Sequence, residues 1–221
     1  MNTWNEQLGD VSRTDWNHFF ENHTVLVPYL DMCVFAAKHL SRMQRPDALV
    51  YEFGCGVGNN ILFLRSIFPK IRLLGSDISQ VAIDKLVAKG LENSDFWVSN
   101  SDLMLGGRGP VDLVIERGAM QHVPKDLAKQ YVRQIHDALK TGGSAYFEIA
   151  STAHDKFEVL GGSGLDKGFG YRTFYTIEEI KELFRDFSIT RIYHLQRELC
   201  YDPASDAMQV QGSFQVEVSK A

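Results

Sequence analysis

Glu52-Phe-Gly54-Cys-Gly56-Val-Gly58-Asn-Asn60 is where residue type and spacing point most directly to chemistry. Three glycines at alternate positions permit a tight turn and let a ligand press on bare backbone. The apolar run ALVYEF (48–53) leads into this loop, and a helical stretch follows it. The free N–H groups of that helix open onto the same place. Asp77 stands 23 residues after Gly54, at the end of a second apolar run. A carboxylate there can accept both hydroxyls of a ribose. A dinucleotide enzyme would need G-x-G-x-x-G, and Asn59 occupies the place of its third glycine. The pattern present is G-x-G-x-G with an acid, Glu52, two positions before the first glycine. Cys55, inside the loop, reads as a small spacer rather than a nucleophile.

A second group of residues could do acid–base or polar work. His122 follows the apolar run VDLVIE (111–116), and a free imidazole titrates in the range a general base needs. The alternative is a histidine that packs near the ligand or caps the next helix. Glu116 and Arg117 sit at the same edge and can touch a ligand or pair with each other. His23 and Tyr29 can reach the edge from the N-terminal arm, and His154, Tyr171 and Arg172 from the loop after residue 150. The seven histidines show no H-E-x-x-H or other ligand spacing, so no metal is expected.

These residues must be positioned by alternating strands and helices. Short apolar runs at 48–53, 71–76, 95–100, 111–116 and 144–150 read as strands. Helical stripes lie between them: Ile61, Leu64 and Phe68; then Ala82, Ile83, Leu86 and Val87 behind a Ser79 cap; then Ala128, Val132, Ile135 and Leu139. Thr176-Ile-Glu-Glu179 is a capping box, with Ile180, Leu183, Phe184 and Phe187 turned inward behind it. Runs at 188–195 and 213–219 have no clear helix between them, which suits an antiparallel pair. Alternation of this kind means right-handed crossovers and a mostly parallel sheet. Leu26, Leu30, Cys33, Ala37 and Leu40 give an N-terminal helix one apolar face. Trp4, Trp16, Phe19 and Phe20 either staple the arm to the core or form a lid over a ligand. Gly161, Gly162, Gly164, Gly168 and Gly170 make residues 151–175 read as a mobile flap or a plain flexible connection.

Composition narrows the class. With 221 residues and 44% hydrophobic content the chain can bury a sizeable core. A net charge of −5 disfavours a general attraction to nucleic acid or to an anionic membrane surface. No apolar run approaches the roughly 20 residues of a membrane span. The N-terminus lacks the order of a secretory signal. Three widely spaced cysteines make neither a disulfide framework nor a metal knuckle. A cytoplasmic, soluble protein is the expectation.

In order and spacing, these segments resemble the motifs of the class I S-adenosylmethionine-dependent methyltransferases. The resemblance covers about residues 48–150: the G-x-G-x-G loop, Asp77, Ser101-Asp102-Leu103, VDLVIERGAMQHV (111–123) and ALKTGGSAYFEIA (138–150). It implies a doubly wound α/β fold. The sheet would have seven strands, mostly parallel with an antiparallel last strand, helices on both faces and an N-terminal helical arm. It implies S-adenosylmethionine as cofactor and S-adenosylhomocysteine as product. Glu52, Gly54, Cys55, Gly56, Gly58 and Asn59 would form the cofactor loop, with Asp77 and Ile78 at the ribose. Asp102 would accept the adenine amino group and the Leu103 N–H would meet the ring, with Glu116 and Arg117 near the methionine portion.

The whole chain, 1–221, then reads as one methyltransferase domain. Residues 1–47 are the arm or lid, 48–150 the cofactor half, and 151–221 the substrate loop and last strands. The DNA amino-methylating, cytosine-carbon and magnesium-dependent catechol types lack their motifs here. Methyl transfer to a small molecule, at oxygen before nitrogen, is the expected activity, without nucleic-acid or membrane partners and with a homodimer left open. A protein or tRNA acceptor, and a non-catalytic cofactor-binding protein, stay open as alternatives, with an NAD oxidoreductase behind them.

Overall fold

The computed structural model describes residues 6–23, 27–43, 45–99, 105, 107–166, 169–202 and 207–221. Five strands run parallel: β1 (Leu49–Phe53), β2 (Arg72–Asp77), β3 (Ser94–Val98), β4 (Val111–Arg117) and β5 (Leu139–Ala150). β6 (Ser163–Asp166) and β7 (Gly170–Thr173) pair only with each other. β8 (Ser188–Asp202) and β9 (Ala207–Ser219) form a long hairpin, with β9 antiparallel to both β5 and β8. Among the described residues the main sheet has seven strands in the order β3-β2-β1-β4-β5-β9-β8. The chain works outward from β1 to β3 and then returns to β4 on the other side of β1. That reversal opens a crevice at the carboxyl ends of β1 and β4.

Helices cover both faces of the sheet. They are α1 (Glu6–Asn22), α2 (Leu30–Met43), α3 (Asn59–Ile67), α4 (Gln80–Val87), α5 (Lys125–Ala138), α6 (Lys156–Val159) and α7 (Ile177–Leu183). β1 is buried along its whole length, and its two-residue period splits the core. Leu49, Tyr51 and Phe53 join the cluster that includes Leu127 and Ile135 of α5 and Ile180 of α7. Val50 joins the opposite cluster with Ile61 and Leu64 of α3 and Ile83 of α4. Glu52 falls on the Val50 face by the same alternation, which is why an acid is buried there.

Several expected details shift. The buried face of α2 is Met32, Cys33, Phe35, Ala36 and Leu40, whereas Leu30 is 69% exposed. Leu26 and Trp4 lie outside the described residues. Val87, the last residue of α4, is exposed instead of buried. β5 begins at Leu139, directly after α5, so Gly142-Gly143 lies within an extended segment instead of ending the helix. Residues 151–175 are no plain loop: they hold α6 and the β6–β7 hairpin, whose two short strands satisfy each other's backbone. The Ser79 cap and the Thr176–Glu179 capping box form as expected.

Candidate functional site

Parallel register brings the chemistry to one edge. Phe53 pairs with Ser76 on one side and Glu116 on the other, so β1, β2 and β4 end flush. The loop after β1 is then pinned to β2. Gly54 and Cys55 donate to the Ser76 carbonyl at 2.8 and 3.0 Å, and Gly56 N–H donates to Asp77 Oδ2 at 2.8 Å. Gly54 has φ +69°, and a Cβ there would lie 2.3 Å from Ala119 Cβ. Gly56 has φ +52°, and a Cβ there would meet the Phe20 ring at 3.0 Å. Both positions therefore exclude side chains by conformation and by space.

The buried acids around the loop are held by hydrogen bonds. Asp77 Oδ1 accepts from Ser79 N–H at 2.9 Å in addition to the Gly56 bond. Burial still raises its pKa, against those two donors. Glu52 Oε1 accepts from Asn60 Nδ2 at 2.7 Å, and Asn60 Oδ1 in turn accepts from Tyr29 N–H at 2.8 Å. Glu52 Oε2 is buried with no hydrogen-bond partner among the described residues, and burial pushes its carboxyl up to about 8. The Cys55 thiol is pushed well up by burial, which removes it as a nucleophile.

These residues line one end of a cavity of about 770 Å³. Glu52, Gly54, Cys55, Gly56, Asn59, Asp77, Ile78 and Arg117 all reach it. Gly58 does not: it stands at the N-terminus of α3 against Leu86. Glu116 also stays out of the lining. Its Oε1 accepts from Ala119 and Met120 N–H at 2.6 and 2.8 Å, bracing the 3-10 turn Met120–His122, and burial pushes it up to about 8. Glu116 and Arg117 form no ion pair with each other among the described residues. Arg117 lies over the Tyr29 ring at 3.4 Å, with its Nε 3.9 Å from Glu148 Oε1. Asp102 and Leu103 lie outside the described residues.

The other end is roofed by α1 and the β6–β7 hairpin. The Asn17 side-chain oxygen accepts from Ser79 Oγ at 2.7 Å, tying α1 to α4. Ser12 Oγ accepts from Tyr171 N–H at 3.2 Å and Asp15 Oδ2 accepts from Gly170 N–H at 3.1 Å, tying α1 to β7. Phe20 is buried with Val57 and Ala82, so it staples the arm. Trp16 packs against that cluster and also faces the cavity, edge-on to His122 at 4.9 Å and to Phe169 at 6.1 Å. The aromatic arm is both staple and roof.

His122 lines this end, but its ring is not poised as a neutral-pH base. Nδ1 is 2.9 Å from the Tyr171 carbonyl, an acceptor only, so Nδ1 carries the proton. Burial, with Arg172 nearby, pushes the ring down to about 3. The reference pKa that recommended His122 does not survive that environment. His154 and Arg172 also line the cavity, with Arg172 Nη1 3.3 Å from His154 Nε2. Tyr171 contributes its backbone rather than a place in the lining. His23 is not brought to the site: it is exposed, bonds the Phe19 carbonyl at 2.8 Å and stacks on that ring.

Sequence reasoning missed Asn60 and Phe169 as lining residues. An asparagine in the first turn after the loop was a usable signal for the first, since its amide can bridge an acid and a backbone group. Phe169 had no such signal, because its place depends on the hairpin folding back over α1. The pieces of the first end fit a nucleoside with an amino-acid tail. The cradle admits no Cβ, Asp77 faces the cavity, and buried polar atoms stay open at Glu52 Oε2 and Arg117 Nε.

Comparison with known proteins agrees. A family model described as a methyltransferase domain matches residues 50–143. Trans-aconitate 2-methyltransferase of Deinococcus radiodurans is 28% identical over 112 residues, 51% of this chain and 41% of its own. The chain spans less than half the length of the curated relatives it matches. An S-adenosylmethionine-dependent methyltransferase structure from Anabaena variabilis superposes with a TM-score of 0.70 at 18% identity, over 100% of this chain and 97% of that one. Magnesium protoporphyrin IX methyltransferase of Synechocystis, solved with S-adenosylhomocysteine, gives 0.69 at 17% identity, over 97% and 100%. Residues 50–143 are thus similar to a methyltransferase domain, and the whole chain shares the fold of the S-adenosylmethionine-dependent methyltransferase structures it superposes on.

Proposed function

We propose that this chain is a class I S-adenosylmethionine-dependent methyltransferase that moves the cofactor's methyl group onto an oxygen of a small-molecule acceptor. The observation that carries the reading is one cavity with two unlike ends: a backbone cradle with Asp77 and Glu52, and a roofed aromatic chamber. A volume of about 770 Å³ suits an enclosed small molecule beside the cofactor. The Deinococcus relative is named for a small-molecule acceptor, trans-aconitate, which supports the same class.

In this reading Asp77 accepts the ribose hydroxyls, Gly54 and Gly56 let the ligand lie against the loop, and Ile78 packs beside it. Asp102 and Leu103 meet the adenine. Glu52 and Arg117 answer the amino and carboxylate groups of the methionine portion. Bound there, S-adenosylmethionine supplies a methyl on a positive sulfur, which leaves once a nucleophile is in line. His122 pins the turn after β4 to β7 and shapes the acceptor wall, since a ring titrating at about 3 gives little driving force for proton removal at neutral pH. The chain works as one unit, residues 48–150 holding the cofactor and the arm and 151–221 enclosing the acceptor.

Thermal unfolding with S-adenosylmethionine, S-adenosylhomocysteine, NAD or NADP tests this. A ligand at about 100 times its dissociation constant adds roughly 2.7 kcal/mol of apparent stability. The two sulfur ligands should shift the midpoint and the dinucleotides should not, and Asp77→Ala should erase most of the shift. A shift with the dinucleotides alone would overturn the reading.

A further inference from the structure

We propose that the acceptor is a small carboxylic acid with a flat apolar body. Its carboxylate pairs with Arg172, its body lies against Trp16 and Phe169, and a carboxylate oxygen takes the methyl group. The proposal rests on reading the cavity as a methyl-transfer site.

Arg172 is the first support. It projects from β7 into the cavity with its side chain only 13% exposed. Its surroundings do not fully answer its charge. Nε is buried with no hydrogen-bond partner among the described residues. Asp166 Oδ2 is 3.4 Å away yet is itself without a hydrogen bond among the described residues, and Asp166 is shared with Lys156 at 3.8 Å. Asp155 is taken by His154 Nδ1 at 2.7 Å. A guanidinium left under-satisfied inside a cavity is costly alone and matches the two oxygens of a carboxylate. A lysine at this place would not give that planar fork.

The chamber walls are the second support. Trp16 and Phe169 stand 6.1 Å apart, centroid to centroid, at 68°. His122 adds a third ring edge-on to Trp16. Such faces favour a flat apolar body over a polar chain.

The third support is what this end lacks. Among the described residues there, none is placed to take a proton near neutral pH. His122 donates Nδ1–H to the Tyr171 carbonyl, its Nε2 faces the Gln121 side-chain amide at 3.4 Å, and burial with Arg172 nearby keeps the ring from charging. His154 bridges Asp155 and Arg172, and burial lowers it too. Asp10 sits at the exposed rim, paired with Arg13 at 2.8 Å. A hydroxyl or protonated amine would need a base, whereas a carboxylate arrives ionised. An oxygen lone pair forms the O–CH3 bond as the C–S bond breaks, and that bonding pair stays on sulfur. Methyl ester and S-adenosylhomocysteine are formed, and no proton is released.

The test uses the intact protein saturated with S-adenosylhomocysteine, titrated by calorimetry with three flat acids: trans-cinnamate, benzoate and sorbate. Each is compared with its neutral amide. At least one acid should bind about tenfold or more tighter than its amide, the worth of hydrogen bonds to a charged group. Arg172→Gln should remove that preference, and Arg172→Lys should restore only part of it. Incubation of the bound acid with S-adenosylmethionine carrying a labelled methyl should give a base-labile ester. Amides binding as well as acids across the panel would overturn the proposal without any variant. An acid that binds but gives no ester would overturn the assignment of the methylated atom. If S-adenosylhomocysteine itself fails to bind, the underlying methyl-transfer reading falls, which is a separate outcome.

Discussion

The end of the cavity around Gly54 and Gly56 is made of backbone, whereas the end around Trp16, Phe169 and Arg172 is made of side chains. The first hangs from three flush strand ends in the sheet core. The second is assembled from α1, the turn after β4 and the β6–β7 hairpin, which meet through bonds such as His122 to Tyr171, 49 residues apart, and Ser12 to Tyr171, 159 residues apart. A backbone cradle recognises one invariant ligand, because its shape changes little with sequence. A side-chain chamber can be rebuilt without disturbing the sheet. The difference separates a surface fixed by backbone conformation from one set by the choice of side chains.

The sharpest way to break the contrast is at Gly54. Gly54→Ala puts a Cβ at 2.3 Å from Ala119 and a side chain at φ +69°. Overpacking and left-handed strain together cost about 2–5 kcal/mol. Calorimetry should show S-adenosylhomocysteine affinity reduced more than about a hundredfold. Affinity near wild type would mean the loop is not the contact.

Trp16→Ala should act only on the other end. Losing one aromatic wall is worth about 0.5–1.5 kcal/mol beyond lost area, so the KM for an acceptor should rise about tenfold. S-adenosylhomocysteine affinity should stay within about threefold. Equal damage to both ligands would show that the two ends are not separable.

The ends should also answer pH with opposite signs. Glu52 is raised from 4.5 to about 8. The folded state then holds a proton that the unfolded state releases, and stability falls as pH rises from about 4.5 to about 8. His122 is lowered from 6.5 to about 3, so its contribution is present above 6.5 and lost as pH falls toward 3. Melting curves of the ligand-free protein should show Glu52→Gln flattening the decline between pH 5 and about 8. His122→Asn should flatten the decline on the acid side. A slope unchanged by either variant would show that the group ionises in the folded state as it does unfolded.

The smallest effects are expected at the caps. Ser79→Ala and Thr176→Ala should each cost about 1 kcal/mol in urea unfolding. Only the first should speed amide exchange in α1, because Ser79 Oγ also donates to Asn17. Faster exchange of α1 in both would argue against a local tie.

The loop after β1 and the acid that ends β2 were legible because their signals are local. The glycine spacing, the acid that ends β2 and the flush parallel strands follow from short stretches of sequence. The capping box at Thr176 is equally local and formed as read. The N-terminal stripe through Leu30 was misread by a partial turn, because the true face includes Met32 and Phe35 and is selected by what α2 packs against. The role of His122 was also not legible. Its residue type suggested a base, and only its neighbours, the Tyr171 carbonyl and Arg172, decide how its ring titrates.

By itself, the sequence determined the order of strands and helices from residue 48 to 150, the loop that excludes side chains, and the carboxylate at the end of β2. Those depend on backbone conformation and on periods of two and 3.6 residues, which a single segment carries. Tertiary structure decided which of Tyr29, His122, His154, Arg172 and His23 share a cavity, and it left His23 outside. It also decided the charge state of Glu52 and His122. Desolvation is a property of everything packed around a group, and no stretch of sequence around Glu52 or His122 carries it.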